Sequence, residues 1–280
     1  VGTSLSKKLA ESGHQICCVD LALPDTKLDS IEYHQGDLTD HQQVDQLLSE
    51  GFDGIIHLAA ISRAGIARAQ PVLCWNHNVH ATSSLLQKCV LLLNSPWFIL
   101  ASSREVEYLT PDTPYDIKNT YGYTKKVSEE LISLFYPVNT QRACIFRLSD
   151  VYGTANDHQG KVLSLFLNKA MDHQPITIDN PAHRCFFTHI DDVVSHIVAE
   201  VEQIDGRGAF SRSIYKLWSE ESVDLVTLAR LIIRLTNSRS ELSIAQTASG
   251  QMGETPAGDL AHYIGLEEGL LRLIREMQRD

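Results

Sequence analysis

Basic residues are scarce in this chain of 280 residues: 24 lysines and arginines stand against 35 aspartates and glutamates, a formal charge of -11. A nucleic-acid or anionic-membrane binder needs a basic face, and the sequence offers none, so neither partner is expected. Long apolar runs are missing as well. The most apolar stretch, 85–93, is interrupted by Gln87 and Lys88 and is far too short to span a bilayer, and the opening residues do not read as a signal peptide. Cysteine pairs are missing: Cys17, Cys18, Cys74, Cys89, Cys144 and Cys185 make no C-x-x-C and no zinc spacing. Buried free thiols and a reducing, cytoplasmic setting are the expectation. The twelve histidines form no H-x-x-x-H pair with a third acid, so no metal is expected. Repeats and low-complexity segments are also absent.

What is present is ordinary for a folded chain. Apolar residues are 43% and charged residues 21%, which excludes wholesale disorder and fibrous architecture, and the length suffices for one large α/β domain with a smaller appendage. Compact apolar runs at 15–19, 54–58, 97–101 and 143–148, with a further short one at 30–36, read as strands. Helical spacing fills the intervals at 5–13, through Val44, Leu47 and Leu48, at 79–93 and at 121–135. Strands that alternate with helices and are nearly continuously apolar predict a doubly wound parallel sheet, a Rossmann-like α/β fold. The second half is less regular, with helices expected at 162–171, 192–201, 225–235 and 266–277, strands at 176–178 and 214–218, and a Gly- and polar-rich stretch at 245–258. It predicts a smaller α/β substrate lobe. The nucleotide domain is expected over 1–150 and about 182–205, the lobe over about 151–181 and 206–280.

Ligands in such a sheet bind beyond the carboxyl ends of the strands. Asp20 closes the first strand, where an acid can accept from a ribose 2′-hydroxyl and repel a 2′-phosphate, favouring NAD over NADP. Asp37 follows the next strand and can contact the adenine, and Leu58, Ala59 and Ala60 are small enough for a cofactor to lie against. Asp20 and Asp37 can equally be turn caps. A strand and glycine turn of roughly ten residues are expected to precede Val1, because only Gly2 and the first helix stand where such a unit begins.

Tyr121 and Lys125 sit at i and i+4, on one helical face. Lowering a tyrosine pKa from about 10 to near 7 takes roughly 4 kcal/mol of preferential phenolate stabilisation, which a lysine and a positive nicotinamide can share in a dry site. Ser103, just past a strand, can donate to the same substrate oxygen. Taken in order, Val1-Gly2, Asp20, Gly36-Asp37-Leu38, His57-Leu58-Ala59-Ala60, Asn78-Val79 with Thr82, Ala101-Ser102-Ser103-Arg104-Glu105-Val106, Tyr121 with Lys125, Arg147 leading to Val151-Tyr152-Gly153, and His189-Ile190-Asp191-Asp192-Val193 resemble the extended short-chain dehydrogenase/reductases, and among them the NAD-dependent epimerase/dehydratase family.

The resemblance implies a catalytic set of Tyr121 as general acid/base, Lys125 as its partner and ribose ligand, and Ser103 orienting the reacting oxygen. It implies a cofactor site of Val1, Gly2, Asp20, Asp37, Leu38, Leu58, Ala59, Ala60, Asn78, Tyr121 and Lys125, and substrate contacts from Ser103, Glu105, Asp150 and Arg184. The activity implied is epimerisation of a sugar carried as a nucleotide conjugate, through transient hydride transfer to bound NAD, in a homodimer built on helices 82–93 and 121–135. A sugar ketoreductase or dehydrogenase that releases its cofactor is the alternative, and a silent NAD-sensing scaffold is the reading from another class. A 4,6-dehydratase is disfavoured because Arg104 cannot serve as the acid beside Glu105. Two positions depart from the family pattern. Asp150 stands where an asparagine often contacts the diphosphate, and Cys185-Phe186 stand where Arg-Asp is usual, with Arg184 displaced by one residue, which on a strand is the opposite face.

Overall fold

The computed structural model describes residues 1–114, 116–137, 140–155, 157–219, 221–245, 257–260 and 262–278. In chain order the elements are α1 (Gly2–Glu11), β1 (Ile16–Asp20), β2 (Ile31–Gln35), α2 (His41–Leu48), β3 (Gly54–His57), α3 (Ala64–Ala69), α4 (Pro71–Trp75), α5 (Ala81–Leu91), β4 (Trp97–Ser103), α6 (Thr120–Phe135), β5 (Ala143–Leu148), β6 (Asp150–Tyr152), α7 (Val162–Met171), β7 (Ile176–Ile178), β8 (Arg184–Cys185), β9 (Phe187–His189), α8 (Ile190–Arg207), β10 (Ile214–Leu217), β11 (Val223–Asp224), α9 (Leu225–Leu235), β12 (Leu242–Ile244) and α10 (Leu266–Met277). A π-turn, Asn76–His80, joins α4 to α5, and 3₁₀ turns occupy Arg104–Tyr108 and Ile117–Asn119. The chain divides into two units, Val1–Leu148 with Val194–Lys216, and Ser149–Val193 with Leu217–Asp280.

In the first unit β1 and β2 run parallel, with Asp20 opposite Gln35, and β3, β4 and β5 run parallel in a four-stranded sheet ordered β10-β5-β4-β3. Parallel strands covered by helices need no polar face, which is why they are legible as apolar runs. Phe98, Leu100 and Ile145 of the sheet pack with Leu85, Leu86 and Cys89 of α5 and Ile132 of α6, all nearly fully buried. Each such large side chain contributes roughly 1.5–3 kcal/mol by leaving water. Gly54 matters here for its missing side chain, since a Cβ there would lie 1.9 Å from the Trp97 indole that covers it. Strand β4 outruns β3: His57, the last residue of β3, faces Leu100, and β4 continues through Ala101, Ser102 and Ser103 against Phe146, Arg147 and Leu148. Polar residues thus stay in the strand because β5 pairs them, and the expected end at residue 101 moves to Ser103.

The second unit is built from short ladders. β6 pairs parallel with β9, β7 parallel with β12, and β8 antiparallel with β11. Their helices carry the core: Phe166 and Leu167 of α7, Leu228 and Ile232 of α9, and Leu270, Leu273 and Ile274 of α10 close over Ile176 and Ile178. Asp224 caps α9 by accepting from the Thr227 amide at 2.8 Å. Helix α8 runs from Ile190 to Arg207, longer at both ends than the expected 192–201. Most of the polar stretch expected at 245–258 lies outside the described residues. No helix among the described residues is long and apolar enough to cross a membrane. All six cysteines are free thiols, four buried and two half-buried.

Candidate active site

The carboxyl ends of β1, β3 and β4, the start of α1 and the first turns of α6 carry the residues singled out from the sequence. Asp20 is exposed at the end of β1; its backbone carbonyl accepts from the Gly36 amide at 2.9 Å, and its carboxylate accepts from the Ala22 amide at 3.3 Å. Asp37 closes a turn: its Oδ1 takes the Thr39 amide at 2.9 Å and the Thr39 hydroxyl at 2.8 Å, and the bond from the Thr39 amide holds the carboxyl below its ordinary pKa. Leu38 packs on the hydrophobic core behind it. A cavity of about 230 Å³ touches Asp37 and Leu38 but runs along α2 as far as Glu50, and neither Asp20 nor Tyr121 lines it. It is a groove beside a helix rather than the reaction site.

Asn78 sits in the π-turn, buried. Its Oδ1 accepts from the Ile61 amide at 2.7 Å, and its Nδ2 donates to the Ile61 carbonyl at 3.1 Å and to the Thr124 hydroxyl at 3.0 Å. One side chain therefore fixes the loop after β3, with Leu58, Ala59 and Ala60, to α6. His57, buried at the end of β3, bonds the Thr82 hydroxyl at 3.0 Å; burial and then the charge of Lys125 lower its pKa to about 3, so it is neutral.

Lys125 is buried on α6, and its Nζ donates to the Ala101 carbonyl at 2.8 Å, two residues before Ser103. Burial lowers its pKa to about 8, against the opposing pull of Cys74 and Glu129. Ser103 is buried and its Oγ accepts from the Glu105 amide at 3.2 Å, capping the 3₁₀ turn. Gly122 brings α6 against that turn: a Cβ there would lie 3.5 Å from the Glu105 carbonyl oxygen and 3.6 Å from its Cβ. Tyr121, partly exposed, precedes Gly122 in the first turn of α6. Arg104 donates to the Tyr108 hydroxyl.

The sequence reading missed the polar network that backs this pair. Glu129 accepts from Ser102 Oγ at 2.5 Å and from Arg147 Nε and a terminal nitrogen at 2.9 and 2.5 Å. Arg147 also reaches Glu107 at 2.5 Å, and Lys216 binds the other oxygen of Glu107 at 3.0 Å. Glu129 alone carried a signal: Tyr121, Lys125 and Glu129 are spaced by four, one stripe of a helix.

The remaining two residues lie in the second unit. Asp150 accepts from the Phe186 amide at 3.2 Å, and Arg184 donates from Nε and a terminal nitrogen to the hydroxyl and carbonyl of Ser222, both at 2.8 Å. Arg184 is exposed and Cys185 buried, the alternation a regular strand imposes. Glu32, His34 and Glu50 bring ligand atoms within 4.8 Å of one another at the first unit's surface, where His34 bonds Glu32 at 2.8 Å.

A model of the NAD dependent epimerase/dehydratase family matches residues 1–211. The chain belongs to this family. Among curated members it is 25% identical over 265 residues to a UDP-glucose 4-epimerase of Caenorhabditis elegans, covering 78% of this chain and 75% of that protein. It is 28% identical over 214 residues to a dTDP-glucose 4,6-dehydratase of Mycobacterium tuberculosis, covering 74% of this chain and 63% of that protein. A solved UDP-glucuronic acid 4-epimerase from Bacillus cereus, in complex with UDP-glucuronic acid and NAD, matches with a TM-score of 0.81 at 18% identity, over 100% of this chain and 96% of that one. That likeness is one of fold, the Rossmann-like architecture expected from the strand pattern.

The residues present suit the family's dinucleotide. Gly2 stands at the first position of α1, where a Cβ would lie 3.8 Å from Leu58, and the N-terminus of a helix favours a phosphate. The exposed Asp20 carboxylate stands at the end of β1, where a ribose hydroxyl is met in such folds.

Proposed function

We propose that this family member is an NAD-dependent epimerase acting on a sugar carried as a nucleotide conjugate. The observation that carries the reading is Lys125, buried one turn after Tyr121 on α6 and anchored to the Ala101 carbonyl two residues before the buried Ser103. Asp20, the start of α1, Asn78 and the loop from Leu58 to Ala60 would hold the cofactor, with Lys125 at the nicotinamide ribose. When bound, NAD supplies a reversible hydride acceptor. Tyr121 takes the proton of a sugar hydroxyl and later returns it, and Ser103 holds that oxygen by a hydrogen bond. Lys125, poised near 8, favours the phenolate when protonated. The Ser103 cap keeps the turn that carries Glu105 against α6, so Glu105 borders the substrate. Arg104, engaged with Tyr108, is no acid for dehydration. The nucleotide-conjugate substrate is supported by the relatives' substrates. Exposed Leu91 and Leu134, on α5 and α6, support a homodimer through those helices, and the free thiols support a cytoplasmic setting.

The test is interconversion of UDP-glucose and its C4 epimer by the full chain with NAD, followed by chromatography alongside nicotinamide absorbance. Product without net absorbance change is expected; accumulating reduced cofactor would make the protein a dehydrogenase. Tyr121→Phe should lower turnover by roughly 10²–10⁴-fold and leave NAD affinity nearly unchanged; undiminished turnover would remove Tyr121 from the mechanism.

A further inference from the structure

Lys125 and Glu129 are one turn apart on α6 and grip consecutive residues of β4: Lys125 takes the Ala101 carbonyl and Glu129 the Ser102 hydroxyl. Ser102 is the register partner of Arg147 on β5, so both groups that bind Glu129 from the sheet come from one rung of the β4–β5 ladder. Glu129 is nearly buried, and Arg147 meets it with two parallel bonds. Arg147 continues to Glu107, on the 3₁₀ turn capped by Ser103, and Glu107 to Lys216 on β10. Helix α6, the turn after Ser103 and the ends of β4, β5 and β10 are thereby tied through one carboxylate–guanidinium pair.

We infer that Glu129, clamped by Arg147 and Ser102, is a positioning residue for the reaction at Tyr121: it fixes where the Tyr121–Lys125 stripe stands over the end of β4. The inference rests on the reading of Tyr121 and Lys125 as the reacting pair. A helix free to slide along the strand would carry the phenol away from the end of β4, and Glu129, with Lys125 one turn before it, holds the axial position of that stripe. It also has an electrostatic side. The titratable groups about Lys125 are Cys74 of α4, His57 of β3, and Tyr121 and Glu129 of α6; His57 is neutral, and burial raises the Cys74 thiol, so Glu129 is the standing negative charge among them. Its loss would remove the negative charge that opposes the effect of burial on Lys125.

The experiment separates this from a merely structural role by reading Lys125 directly. ¹³Cε-lysine NMR across pH 6–11 on the full chain gives its titration, assigned with Lys125→Met. Glu129→Gln is expected to move that titration downward by about one unit, and Arg147→Gln, which leaves Glu129 uncompensated, to move it upward. Glu129→Gln should also lower kcat about tenfold with KM within about twofold, shifting the pH profile of kcat in step with the lysine. Ser102→Ala keeps every charge and should leave the titration in place while lowering kcat only about two- to threefold. Opposite shifts from Glu129→Gln and Arg147→Gln support the inference. An unmoved Lys125 in a folded Glu129→Gln chain, or a Ser102→Ala shift as large as that of Glu129→Gln, would overturn it. If Glu129→Gln does not fold, an Arg147→Gln titration that stays put or moves downward overturns it instead. An active Tyr121→Phe chain would sink the proposed reaction while the lysine titrations still report on Glu129.

Discussion

Arg147 and Arg184 each sit in a strand and each use a forked pair of nitrogens, one in each unit of the chain. Arg147 closes on the Glu129 carboxylate in a nearly dry network, whereas Arg184 closes on the hydroxyl and carbonyl of Ser222 at an exposed edge. A guanidinium on a carboxylate away from water is strongly held, and removing either partner strands a charge. A guanidinium on neutral oxygens in water is replaceable at small cost. The first unit thus defines its side chains by burial and register, and the second defines the corresponding residues by local bonds along two- and three-residue strands. Asp150 belongs with Arg184, since its carboxylate holds the Phe186 amide beside it.

The sharpest way to break this contrast is a glycine in each unit. Gly54→Val drives a branched side chain into the Trp97 ring and is expected to lower unfolding stability by roughly 3 kcal/mol. Gly269→Ala on α10 meets the Tyr152 hydroxyl 2.1 Å away, but there the helix gain of alanine offsets part of the clash, and a loss of about 1–2 kcal/mol is expected. Chemical denaturation measures both, and a Gly269→Ala loss equal to that of Gly54→Val would remove the distinction.

A smaller effect comes from pH. His57 titrates near 3 in the folded chain, and an unfolded histidine titrates near 6.5. Its folded pKa is depressed, so its contribution to stability is complete above about 6.5 and is lost as pH falls toward 3, at about 1.4 kcal/mol per unit. Between pH 6.5 and 5 this amounts to roughly 2 kcal/mol, and His57→Gln, which can still bond Thr82, should remove that slope. His189 of the second unit is shifted in the same direction by burial, so the pair compares the two units under one stimulus. Smallest of all, Arg184→Ala should cost under about 1 kcal/mol and leave KM for UDP-glucose within about threefold; a tenfold rise in KM would support Arg184 as a substrate contact.

The same contrast governs what the sequence made legible. Strand 143–148 and the helices 162–171, 225–235 and 266–277 are read at their observed bounds, because apolar content and 3.6-residue spacing are local signals. The two- and three-residue strands β6, β8, β9 and β11 carry no period to read, and only the partner strand defines them. At the candidate site, the spacing of Tyr121 and Lys125 was visible, and so was Ser103. The clamp of Asn78 on Ile61 and the Ser102–Glu129–Arg147 rung were not, because each joins residues 17 to 45 apart in the chain whose meeting is decided by register. The helix expected at 79–93 is the latter part of a longer rod that begins at Pro71.

That rod contains the π-turn, and the turn acts as a change of phase. A straight α-helix advances 100° per residue, so every side chain from Pro71 to Leu91 would hold a fixed azimuth. One residue added to a single turn puts the two halves out of step by about that angle. The upstream half presents Cys74 to Thr124, the downstream half presents Leu85, Leu86 and Cys89 to the core, and Asn78 rides on the offset itself. Deleting one residue from the turn would leave composition almost untouched yet rotate one half against the other, so this short stretch is intolerant of a change in length even where it accepts a change in letters.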